Sequence, residues 1–209
     1  MLDGCTDLIA MAAASLRAGG APVRVAPARH GTALLVAHRP RDAVLRIIAP
    51  GPVAALGPQA AGAGPVELHL EPGAVRRAIA DLPKVASPPG FPAGFVLHGG
   101  GLPRIAAIRV FAALASCGLD AAPDWPGTID PALLPLLRML LAAARECAAT
   151  PPASWLVRLA DALDAQWRAG QGPLMRLIDP ADPDATTGRL ALAGRAATLL
   201  ARAAAAGLV

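Results

Sequence analysis

Alanine fills 51 of the 209 positions, and that bias limits what the chain can fold into more than any other feature. Since 55% of the residues are apolar, nearly half of the apolar share is the smallest apolar side chain, and the bulk of any core falls to Leu, Val and Ile. Alanine favours helices and lets them approach closely, but each buried methyl removes little surface from water. A chain of this length still buries enough for one domain, or one domain with a small appendage. High hydrophobicity with a net charge of only +4 excludes a disordered chain, and glycine without a period excludes a collagen-like one.

The basic residues are 18 Arg and the single Lys84, and Tyr is absent, a skew expected of a GC-rich bacterial genome. An isoelectric point near 9.7 suits nucleic acid when the charge is clustered. Here the arginines are spread singly from Arg17 to Arg202, with only Arg76 and Arg77 adjacent, so nucleic acid is not the expected partner. Cys5, Cys117 and Cys147 are odd in number and far apart, which implies neither a disulfide framework nor a zinc knuckle, and Cys117 and Cys147 read as inert core groups. Asp3 and Asp7 precede the first apolar stretch without a basic flank, unlike a secretory signal. Arg138, Arg145, Arg195 and Arg202 interrupt the most apolar helices, so no membrane span is expected and the compartment reads as cytoplasmic.

The pattern along the chain predicts an α+β fold: an N-terminal mixed or antiparallel sheet with helices over about 1–118, a Pro/Gly-rich connector over 119–130, and an all-helical subdomain over 131–209. Residues 3–18 read as a helix stopped by Gly19-Gly20. Strands are expected over 22–28, 32–38 and 43–49, the last two flanking the turn Arg39-Pro40-Arg41-Asp42, with a loop over 50–64. Val66, Leu68 and Leu70 alternate with Glu67, His69 and Glu71, the period of a half-exposed strand. A helix over 74–82, a strand over 95–98 and a helix over 102–117 follow, the last expected to bury Ile105, Ile108, Phe111, Ala112 and Ala115. Asp130-Pro131 and Thr150-Pro151 each place a capping residue before a proline at the first helical position, opening helices to about 149 and 170. A last helix runs from Asp184 to about Ala206. Leu133, Leu137, Leu140, Leu156, Leu159, Leu163, Leu192 and Leu199 are the expected core of an antiparallel helical set.

The leading candidate site is Phe95-Val96-Leu97-His98-Gly99-Gly100-Gly101-Leu102-Pro103-Arg104, an apolar strand passing through three glycines into a helix. Such a junction presents free backbone N–H groups and the positive end of the helix to an anion, with Arg104 adding a charge, so His98, Gly99, Gly100, Gly101 and Arg104 form the candidate anion site. A tight turn explains the same glycines without a ligand. His98-Gly99-Gly100-Gly101 also resembles the oxyanion-hole motif of one branch of the α/β-hydrolase lipases. That family needs a Gly-x-Ser-x-Gly elbow, and Ser15, Ser87, Ser116 and Ser154 sit in no such context. His69, Glu71 and Arg76 are secondary candidates: Glu67, His69 and Glu71 share one strand face and offer the residue types of a general base or metal site, against the plainer reading of a solvated edge.

No Walker loop, complete dinucleotide fingerprint, HExxH or EF-hand loop occurs, so neither a cofactor nor a metal is implied. Two functions are carried forward. One is a non-catalytic bacterial accessory protein that binds another protein. The other is a small enzyme acting on a phosphorylated or carboxylated small molecule at the 98–104 junction, for which a small anionic ligand is the expected partner.

Overall fold

Asp7 starts the first helix, because its carboxylate accepts from the Ile9 and Ala10 amides at 3.1 and 2.9 Å. In the computed structural model the described residues are 5, 7–20, 23–25, 35–37, 56–59, 66–70, 72–84, 101–128, 130–147, 150–172 and 175–208. Helix α1 (Leu8–Ala18) begins five residues later than the sequence suggested, and Gly20, at φ 74°, ends it. Helix α2 (Pro72–Ala80) buries Ala74, Val75 and Ile79, and α3 (Gly101–Ser116) follows. Asp130 caps the next segment by accepting from the Ala132 amide at 2.9 Å, with Pro131 at the first position as expected. The first turn there is a 3-10 turn, Pro131–Leu133. It continues as α4 (Leu134–Leu141) and, past Ala142, as the single turn α5 (Ala143–Glu146). Helix α6 (Ala153–Ala169) has Pro152 at its cap position with no side-chain bond, so Thr150 does not cap it. Helix α7 (Pro183–Ala205) is capped by Asp182, which accepts from Ala185 at 2.9 Å.

The α+β class expected from the sequence, with its N-terminal mixed or antiparallel sheet, is corrected: the described residues are mostly helical, and among them no N-terminal sheet layer is supported. Among the described residues, extended backbone is limited to runs of two to five residues, Val23–Val25, Leu35–Ala37, Leu56–Gln59, Val66–Leu70, Gln171–Gly172 and Met175–Arg176. Short antiparallel pairings join them, with Val66–Leu70 between Leu35–Ala37 and Leu56–Gln59. Leu70, at the end of the Val66–Leu70 run, is buried and belongs to the hydrophobic core. Pro58, opposite Leu68, removes a donor from its run and keeps it at an edge. The extended runs expected over 43–49 and 95–98 lie outside the described residues, and Leu56–Gln59 is extended where a loop was expected.

The core is a helical stack around α7. From Leu190 to Ala201 every residue of α7 is buried, which requires cover on all sides. Helix α3 packs on it most extensively, with α6 and α4 on other faces, and α3 also packs on α6. All eight leucines expected in the core are buried. The expected face of α3 is corrected. Its buried residues are Ala106, Ala107, Val110, Ala113 and Leu114, whereas Ile108 is 39% exposed and Ala112 and Ala115 face solvent. The cause is α7, whose run of Ala and Gly admits a close partner, so the smaller face of α3 turns inward. Helix α1 likewise buries Ile9, Ala13 and Leu16 and leaves Met11 exposed.

Candidate functional site

The connector between α3 and α4 is the feature around which the chemistry of the described residues gathers. Helix α3 ends in a Schellman turn: Gly118, at φ 68°, donates to the Ala115 carbonyl and Leu119 donates to the Leu114 carbonyl, both at 3.0 Å. The chain then runs along α7 toward its start, with Ala122 against Gly194, Trp125 buried, and Pro126 against Gly188. Three cations meet residues 119–128 of the connector. Arg76 of α2 donates from Nη2 to the Pro126 carbonyl at 2.6 Å, and Lys84 bonds the Asp124 carboxylate. Arg195 of α7, wholly buried, brings Nη2 within 3.8 Å of the same Asp124 oxygen. The hydrogen bond from Lys84 holds the Asp124 carboxyl below its usual range, while burial lowers the pKa of the Arg195 guanidinium against the opposing pull of Asp124.

On the other side of the connector lies an open cleft of about 380 Å³. Cys117, Leu119 and Pro123 form one wall; Ile178, Pro180, Pro183 and Leu190 form the opposite one, with Asp179, Thr186 and Thr187 as its polar atoms. The second wall is fixed by local bonds. Asp179 donates its amide to Thr186 Oγ1 at 2.8 Å, the Thr186 hydroxyl donates back to the Asp179 carbonyl at 3.0 Å, and the Asp179 carboxylate accepts from Ala181 at 3.0 Å. The wall is therefore shaped before anything binds, and it holds Ile178 37% exposed. Cys117, expected as a core group, is exposed at the cleft because α3 ends there; Cys147 is buried, with burial and the Glu146 charge pushing its thiol up to about 11.

The expected anion site is only partly within view. His98, Gly99 and Gly100 lie outside the described residues, as does Glu71. Gly101 is the first residue of α3 and Arg104 lies in its first turn, so a helix does start where expected. His69 stands in the Val66–Leu70 run, opposite Gly57. Arg76, a secondary candidate, bonds the Pro126 carbonyl and so ties α2 to the connector. Among the described residues no three His, Cys, Asp or Glu side chains converge as a metal site, and no helix is long and apolar enough to cross a membrane.

Sequence reading missed the cleft because both its walls are proline-rich turns, Pro123 to Gly127 and Asp179 to Pro183, which register as breaks between helices. It missed Arg195 because one arginine in an apolar helix reads as a solvent-facing interruption. No family model, curated protein or solved structure matches the chain.

Proposed function

We propose that this chain is a cytoplasmic bacterial accessory protein that binds another protein by taking an apolar segment of it into the cleft between the end of α3 and the start of α7. The supporting observation is the cleft itself, with an apolar lining, a rim fixed by the Asp179 and Thr186 bonds, and Ile178 held partly in water. A preformed apolar concavity needs little reorganisation on binding, and its volume suits one or two anchoring side chains from a partner. The few polar groups, Asp179, Thr186 and Thr187, sit where they can orient the incoming backbone.

Cys117 on the rim provides the test. A photo-activatable crosslinker on Cys117 is expected to trap one protein from the extract of the source cell, and Ile178→Asp should abolish that product without changing Tm. A peptide from the crosslinked region of that protein should then bind the wild type, and not the variant, by calorimetry. Equal crosslinking of wild type and variant, or no binding by the peptide, would sink the reading.

A further inference from the structure

Arg195 is the one charged residue in the fully buried stretch of α7, and its Nε, Nη1 and Nη2 are all buried without a hydrogen-bond partner. A guanidinium carries five donors, and leaving them unmatched away from water is among the costliest arrangements a fold can hold. Its nearest carboxylate, Asp124, is 3.8 Å away, beyond hydrogen-bond length; that side chain is 80% exposed and already bonded by Lys84. Counting Arg76 on the Pro126 carbonyl, residues 119–128 draw cations from three parts of the chain and, among the described residues, pair Lys84 and Arg195 with the single carboxylate of Asp124.

The connector is also weakly attached. Among the described residues no backbone–backbone hydrogen bond ties residues 120–128 to the helices, so its seating rests on Trp125, on Ala122 against Gly194, on Pro126 against Gly188, and on the three cations. The indole Nε1 of Trp125 is buried without an acceptor as well. Segments with few backbone bonds and poorly matched polar groups open at a fraction of the free energy of global unfolding.

We propose that residues 119–128 form a latch over a binding site for an oxyanion, and that Arg195 is its anchor. When the latch lifts, the guanidinium fork becomes free to take a carboxylate or phosphate group in the paired geometry that Asp124 does not offer when closed. Asp124 then serves as the internal stand-in for the ligand, held at the mouth by Lys84. The site is distinct from the apolar cleft, although the connector forms a wall of both.

The test uses the unaltered protein. Phenylglyoxal modifies accessible arginines, so its rate at Arg195, followed by peptide mass spectrometry in a phosphate-free buffer and divided into the rate in urea, gives a protection factor. Alkylation of buried Cys147 gives the same quantity for the helical core. Arg195 is expected to be protected about tenfold less than Cys147, as local opening requires. Inorganic phosphate should slow the Arg195 reaction severalfold and leave Cys147 unchanged, whereas chloride at equal ionic strength should do neither. Asp124→Asn should speed the Arg195 reaction. Equal protection at the two residues would mean that the connector lifts only when the whole fold does, and would overturn the latch. Equal effects of phosphate and chloride would overturn the oxyanion site.

Discussion

Gly194 and Ala122 touch so closely that a methyl group at position 194 would lie 2.5 Å from the Ala122 Cβ and 3.3 Å from its Cα. This contact sets the distance between α7 and the connector, and it explains a glycine in the middle of a buried helix, where alanine would otherwise be preferred by about 1 kcal/mol. Gly194→Ala therefore sets that gain against overpacking of about 1–3 kcal/mol, and we expect a net loss near 1 kcal/mol in urea unfolding. Ala122→Gly should restore most of the loss when combined with it. A single variant as stable as wild type would show that the connector moves aside freely.

Removing the charge from Arg195 should not harm the fold. The buried guanidinium has no hydrogen bond to lose, and Asp124 keeps Lys84 when it is gone. Exchanging a buried ion for an apolar side chain of similar length is neutral or stabilising, by up to about 4 kcal/mol. Arg195→Met is thus expected to raise the urea midpoint or leave it unchanged. A fall in the midpoint would place Arg195 among the groups that hold the fold together.

The two halves of the chain were legible to different degrees, for reasons visible in particular residues. Asp130-Pro131 and the stripe Leu156, Leu159, Ala160, Leu163 are local signals, and the structure places the cap bond and the buried leucines there. Asp164 pairs with Arg168 one turn on at 2.9 Å and with Arg109 of α3 at 3.0 Å, a long-range partner that no spacing within α6 reveals. In α3 apolar residues surround the helix, so the inward face was decided by the small residues of α7 and not by the pattern. The N-terminal sheet was expected from apolar stretches over 22–28, 32–38 and 43–49 and from the alternation at Val66, Leu68 and Leu70, and such local patterns specify extended backbone but not a layer of the core. The cleft and the buried Arg195 arise from the tertiary seating of a proline-rich connector, and local patterns carry none of that.

The helical stack is tested most directly at Leu159, which has no exposed surface and lies on the inner stripe of α6. Leu159→Ala should cost about 2–5 kcal/mol through lost burial and the cavity left behind. Leu159→Asp should cost more and leave the chain unfolded or greatly destabilised, since the new carboxylate would lie among apolar side chains. Circular dichroism melts of both variants check the order. An unchanged Tm for Leu159→Asp would remove α6 from the core.

Cys147 gives the fold an alkaline limit. Its side chain is buried after α5, and burial, aided by the Glu146 charge, lifts the thiol from 9.0 to about 11. The folded state thus holds the proton more tightly than the unfolded chain does. A group whose pKa is raised on folding contributes its full stability below the unfolded pKa, and that contribution is lost as pH rises through the folded pKa. The window is therefore about pH 9 to 11, and below it the thiol acts only as a small apolar group. Cys147→Ala is expected to lower the urea midpoint modestly at neutral pH, because a buried sulfur is deleted, and to lose less stability than wild type as pH rises through that window. The two curves should converge toward the alkaline end, and thiolate absorbance of a variant lacking Cys5 and Cys117 should rise near the upper end of the window in the folded protein. Parallel curves for wild type and Cys147→Ala would show that the thiol ionises as readily in the folded state as in the unfolded one, and that the base of α5 is open to water.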